Sequence, residues 1–160
     1  LYRITKDFEF SASHRLHELP EDHPCSRLHG HNYTVRLVLE ADGLNNVGFV
    51  RDYRELDKFK RWLDDTFDHR DLNDAVFQPT AENLAREIFQ VAVNMYPEVS
   101  AVGISETRKT WAWYMPDILP IADRIMAFFE AVAEGPHDTA DRRRLIQILS
   151  ELFFPSASVD

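Results

Sequence analysis

Three histidines stand where a β-sheet would aim them at one point. His29 and His31 are two residues apart, so in an extended strand their side chains leave the same face. They share parity with Tyr33, Val35 and Leu37, the apolar side of that segment. His14 shares parity with Phe8, Phe10 and Ala12, the apolar side of an earlier segment. If the two segments pair as a hairpin, the three imidazoles point inward and converge. Three inward imidazoles without partners would be costly, and a metal ion satisfies them together. Zinc (Zn2+) suits neutral imidazole, and its catalytic sites take three protein ligands and leave a fourth position open.

Three further positions could do chemistry near such a metal. Cys25 precedes His29 by four residues and has three readings: a fourth zinc ligand, a buried hydrophobe, or a reactive thiol made more acidic by the metal. In Asp68-His69 a carboxylate could orient an imidazole that relays a proton, against the plainer reading of a solvated helix end. Glu106 shares parity with Val102 and Ile104 and so points toward the core. It could make a structural salt bridge, or accept two parallel N–H donors from the guanidine-like edge of a pterin or guanine ring.

The elements that must position these groups follow from periodicity. Tyr2, Ile4, Phe8 and Phe10 alternate with mostly polar residues and predict a first strand; Tyr33, Val35, Leu37 and Leu39 predict a second. Residues 17–28, with Pro20 and Pro24, read as a loop, and Asp42-Gly43 with Asn45-Asn46 as a turn. Asp52 and Glu55 have the spacing of a capping box ahead of a helix whose stripe is Leu56, Phe59, Leu63 and Phe67. A second helix starts near Thr80, carries Leu84, Ile88, Ala92 and Met95, and stops at Pro97. Strand patterns return at Val99–Glu106 and Thr110–Met115. The order predicts an α+β fold, a four-stranded antiparallel sheet covered on one face by two helices.

Residues 117–160 differ. Ile121, Ile125, Phe128, Phe129 and Val132 form one helical stripe, and Leu145, Ile148, Leu149 and Leu152 another. The expected division is a catalytic domain over 1–116 and a helical C-terminal extension over 117–160 that packs on the core or on a partner subunit.

Bulk properties exclude several classes. A net charge of -9 argues against a general nucleic-acid surface. No apolar run reaches the roughly 20 residues that span a bilayer. One cysteine in 160 residues allows no internal disulfide. Leu1-Tyr2-Arg3-Ile4 has no signal-peptide pattern, so a cytoplasmic protein is expected.

Taken together, the motifs resemble those of the 6-pyruvoyltetrahydropterin synthase superfamily. The matching stretches are Phe10-Ser11-Ala12-Ser13-His14-Arg15-Leu16, Cys25-Ser26-Arg27-Leu28-His29-Gly30-His31-Asn32-Tyr33, and Val50-Arg51-Asp52-Tyr53. Then come Phe67-Asp68-His69-Arg70-Asp71-Leu72-Asn73, Pro79-Thr80-Ala81-Glu82-Asn83 and Ser105-Glu106-Thr107. They follow family order across residues 1–116. The spacing of Cys25 from His29-Gly30-His31 is similar to that of the 6-carboxytetrahydropterin synthase branch, whereas pyruvoyl-forming enzymes place more residues there.

The resemblance implies a T-fold whose small sheets join into an oligomeric barrel, commonly a hexamer of two trimers with active sites between subunits. It implies His14, His29 and His31 as zinc ligands and Cys25 as proton acceptor. Asp68 and His69 would be a relay supplied across a subunit boundary. Glu106 would anchor the pterin ring, with Thr107 and the Thr80–Glu82 segment lining the pocket. Arg15, Arg27, Arg108 and Lys109 are charge-based candidates for holding a triphosphate. The implied substrate is 7,8-dihydroneopterin triphosphate, and the implied products are 6-carboxytetrahydropterin, acetaldehyde and triphosphate, on the way to 7-deazapurines such as queuosine. The alternatives are a pyruvoyl-forming synthase and a non-catalytic zinc-containing pterin-binding oligomer. The extension after Met115 departs from the short members of the family.

Overall fold

A computed structural model describes residues 1–116; the stripes expected in 117–160 lie outside the described residues. Strand β1 spans Tyr2–His14 and strand β2 spans His29–Ala41. They pair antiparallel along their whole length, from Tyr2 opposite Ala41 to His14 opposite His29. Strand β4 (Val99–Thr107) pairs with β2, and β5 (Thr110–Tyr114) with β4, both antiparallel. Helices α1 (Asp57–Phe67) and α2 (Ala81–Met95) fill the gap between β2 and β4 in the chain.

The sheet differs from the expected one in having a fifth, parallel member. Strand β3 is only Arg70–Asp71 and lies parallel to β1, giving the order β3-β1-β2-β4-β5 and a mixed sheet. Two residues carry no readable alternation. The strand exists because the chain leaving α1 turns sharply at His69, with φ of 56°, and the His69 N–H donates to the Ser11 carbonyl at 2.6 Å.

The expected capping box is half formed. The Asp52 carboxylate accepts the Arg54 N–H at 2.9 Å, but it caps a 3₁₀ turn over Tyr53–Leu56 rather than α1 itself. The Glu55 carboxylate pairs with Arg51 instead of reaching back to the Asp52 N–H. Thr80 is the N-cap of α2, its hydroxyl accepting the Asn83 N–H at 3.2 Å.

The two helical stripes bury against one face of the sheet. Phe59, Leu63 and Phe67 from α1, and Leu84, Ile88 and Ala92 from α2, meet Phe8, Phe10, Val35, Leu37, Val102 and Ile104. Phe10 stacks on its cross-strand partner Tyr33 at 4.9 Å, and Phe8 meets Phe59 edge-on at 5.1 Å. Each large apolar side chain buried here contributes about 1.5–3 kcal/mol. On the opposite face Arg36 grips Asp7 with two bonds of 2.6 and 2.7 Å. The hairpin is therefore anchored by its core face, and that fixes which way the histidines point.

Candidate active site

His14 ends β1 and His29 begins β2, directly opposite each other. His31 lies opposite Ala12, whose small side chain leaves room for a ring. The Gly30 between them lies so close to β1 that a Cβ there would come within 3.2 Å of the Ala12 carbonyl. Ring centroids are 4.5 Å apart for His14 and His29, 5.2 Å for His14 and His31, and 5.0 Å for His29 and His31. One nitrogen from each ring lies within 4.8 Å of the others.

Backbone carbonyls orient two of these rings. His14 Nδ1 lies 2.8 Å from the Pro79 carbonyl, and His29 Nδ1 lies 2.8 Å from that of Arg27. A carbonyl only accepts, so each Nδ1 carries the proton and each Nε2 presents its lone pair. The two Nε2 atoms are 3.0 Å apart. That separation repels unless a cation lies against both, and it is near the roughly 3.3 Å expected between two nitrogens of a tetrahedral zinc. Burial, the largest influence, holds the His31 imidazole below its ordinary pKa; the neighbouring His14 and His29 add to this and Glu106 opposes it. The residues present fit a divalent metal bound by three neutral imidazoles. Tyr33, edge-on to His14 and His31, floors the group; burial and then the Glu106 carboxylate raise its phenol, so it stays protonated.

Cys25 sits in a 3₁₀ turn (Pro24–Ser26) at the end of the 17–28 loop. Its carbonyl accepts the Leu16 N–H at 2.8 Å, which fastens the turn beside the end of β1. It is half-buried and shares a cleft of about 360 Å³ with the three histidines, Thr80, Glu82 and Glu106. The converging ligand set of the described residues comprises the three imidazoles without the Cys25 sulfur, which stands in the cleft wall. Glu106 projects inward from β4, and its Oε1 is 3.9 Å from His14 Nε2.

Other candidate residues lie elsewhere. Asp68 and Thr107 line a second cleft of about 1000 Å³ that adjoins the first. The Asp68 carboxylate accepts the Ser11 N–H at 2.8 Å and lies 2.8 Å from His69 Nδ1. The contact between these sequence neighbours goes with a left-handed backbone at His69, with φ of 56°. The Ser11 N–H first, and then His69, hold the Asp68 carboxyl below the usual carboxylate range. His69 is 82% exposed and absent from the Cys25 cleft. Arg108 lines the second cleft, whereas the exposed Arg15, Arg27 and Lys109 line neither.

Comparison with known proteins decides the family. The family model for 6-pyruvoyl tetrahydropterin synthase matches residues 3–117. The chain belongs to that family. Relatives within it include a putative 6-carboxy-5,6,7,8-tetrahydropterin synthase of Archaeoglobus fulgidus, 31% identical over 64% of this chain and 86% of the relative. The 6-carboxy-5,6,7,8-tetrahydropterin synthase of Bacillus subtilis is 30% identical over 72% of this chain and 86% of its own. Among solved structures, the 6-pyruvoyl tetrahydropterin synthase of Caenorhabditis elegans superposes with a TM-score of 0.65 at 28% identity, covering 72% of this chain and 96% of that one.

Within this family member, several supporting groups had no sequence signal. The Pro79 and Arg27 carbonyls orient imidazoles, but a carbonyl is common to every residue. Gln78 exchanges two bonds with the His17 backbone, at 2.8 and 2.9 Å. Asn73 does the same with Arg15, at 2.8 and 3.0 Å. These clamps tie the end of β1 to the segment that carries Pro79, and so hold His14 in register. Asparagine and glutamine in a loop are too common to have been singled out.

Proposed function

We propose that this chain is a zinc-dependent 6-carboxytetrahydropterin synthase. It converts 7,8-dihydroneopterin triphosphate and one water to 6-carboxytetrahydropterin, acetaldehyde and triphosphate, a step toward 7-deazapurines such as queuosine. The observation that carries the reading is that three oriented imidazoles, a cysteine and an inward glutamate share one cleft.

His14, His29 and His31 would hold the zinc, which when bound acts as a Lewis acid toward the side-chain hydroxyls of the substrate. Glu106 receives the 2-amino and N3 hydrogens of the pterin ring and so sets how far the side chain reaches. Cys25, as thiolate, takes a proton from the side chain. Thr80 and Glu82 border the same cleft at the start of α2. Thr107 and Arg108 flank Glu106 on the second cleft, where Arg108 is the best-placed cation for the triphosphate. His69 is largely exposed and lies outside the lining of the Cys25 cleft, which supports Asp68 and His69 serving the site of a neighbouring subunit. The working form is a cytoplasmic homo-oligomer, a hexamer in this reading. Among the described residues no helix is long and apolar enough to cross a membrane.

The test is mass spectrometry of the products formed from 7,8-dihydroneopterin triphosphate, with and without a chelator, alongside elemental analysis of the purified protein. Carboxytetrahydropterin and acetaldehyde, lost on chelation, are expected. A pyruvoyl product would move the chain to the sister activity while leaving the site intact. Absence of turnover by metal-loaded, oligomeric protein would sink the enzyme reading for this substrate.

A further inference from the structure

The two clefts share a wall. His31, Glu106 and Trp111 line both. The proposed reaction uses the first two and leaves Trp111, a large aromatic that is 37% exposed on β5.

The sheet register shows why this ring stands where it does. Arg36, Gly103 and Trp113 form one row across β2, β4 and β5. Trp111 stands two residues before Trp113, opposite the irregular stretch between Ile104 and Thr107 that also carries Glu106. From the Gly103 row, the Arg36 guanidinium lies 4.7 Å over the Trp111 ring, itself held by both oxygens of Asp7. The Trp113 indole lies across Gly103, where any Cβ would come within 2.9 Å of its ring carbons, and stacks on Trp111 at 5.7 Å and 25°. With these supports in place Trp111 is still 37% exposed and lines the cleft together with Thr107 and Arg108.

We infer that Trp111 is the stacking platform for the fused heteroaromatic ring whose edge Glu106 binds, and so a specificity-determining residue; this rests on the pterin reading above. A carboxylate that accepts two parallel N–H groups recognises any guanidine edge, including an acyclic one. The two in-plane bonds leave the ring faces uncovered, and a flat indole beside the carboxylate favours a ligand in proportion to the flat area it presents, which is greatest for a fused ring. The buttressed indole gives up little rotamer freedom on binding, so the stacking energy is retained as affinity.

The test uses the full-length protein and two variants, Trp111→Leu and Trp111→Phe. Initial rates are measured with 7,8-dihydroneopterin triphosphate, binding of neopterin by calorimetry, and assembly mass by light scattering. Loss of stacking in Trp111→Leu should raise KM and the neopterin Kd roughly 5- to 100-fold, with kcat held within about 3-fold. Trp111→Phe should stay within about 3-fold of wild type in all three constants. Unchanged KM and Kd in Trp111→Leu would overturn the platform while leaving the pterin reading untouched. A smaller assembly in Trp111→Leu would overturn it too, by showing that the ring is a subunit contact. A wild-type protein that neither turns over the substrate nor binds neopterin would overturn the pterin reading, and the platform with it.

Discussion

The Nε2 atoms of His14 and His29 face each other at 3.0 Å across the terminal pair of the β1–β2 ladder, and each ring gives its Nδ1 proton to a backbone carbonyl. With both rings neutral, neither nitrogen has a proton for the other, and a metal ion between them satisfies both. His29→Ala should therefore lower bound zinc from about one equivalent per chain to below roughly one-tenth, with the far-ultraviolet circular dichroism retained. Elemental analysis of the purified variant reads this directly, and full zinc retention would count against the three-histidine site.

Cys25 lies in the wall of the cleft and outside the converging set of imidazoles. As a base it should be dispensable for the metal. Cys25→Ala is expected to keep its zinc and to lose on the order of 10²- to 10⁴-fold in kcat. Loss of zinc from this variant would instead make Cys25 a fourth ligand and the site structural.

His69 and Cys25 line different clefts, which sets up a complementation experiment. Cys25→Ala and His69→Ala should each be inactive alone. If each site draws these two residues from different copies, dissociating and reassembling an equal mixture should restore on the order of one-quarter of wild-type activity. Failure to restore any activity in assemblies proven to be mixed would place both residues in one subunit's site.

The Asp68 carboxyl is held below its ordinary range by the Ser11 N–H and then by His69. A carboxyl whose folded pKa is depressed adds stability above its unfolded pKa, about 3.9, and loses it as pH falls through the folded value. Asp68→Asn should thus melt below wild type at pH 5–7, with the two curves converging as the pH falls below the unfolded pKa. Thermal melts across that range check it; a constant difference at every pH would show that the carboxyl does not titrate differently on folding.

Phe59 is fully buried and meets the ring of Phe8 edge-on. Phe59→Ala should cost about 3–5 kcal/mol in urea unfolding. A loss below about 1 kcal/mol would mean that α1 repacks or is held chiefly by other contacts.

Much of this molecule was legible along the chain, for one reason. A side chain in a strand alternates faces with a period of two, so any group in phase with a run of apolar residues is committed to the core side. That rule alone put His14, His29, His31 and Glu106 on one face of one sheet, and the structure bears it out. The apolar stripes of α1 and α2 were readable in the same way. The Asp68–His69 contact was only one of two readings of that pair, because it depends on a left-handed backbone at His69 that no pattern of residue types announces. Strand β3 was not readable, since its two residues are held by a hydrogen bond to Ser11 rather than by any alternation of their own.

By itself, then, the sequence determined the hairpin, its two covering helices and the inward set of imidazoles, since periodicity and burial act locally along the chain. Only the tertiary structure decided which nitrogen of each ring faces the centre, because Pro79 and Arg27 supply backbone carbonyls that look alike in every sequence. It also decided that His69 and Cys25 line different clefts and that Trp111 borders two clefts, backed by Arg36 and Trp113. Those relations depend on strand register and on a bulge between Ile104 and Thr107, which arise from distant segments settling against one another.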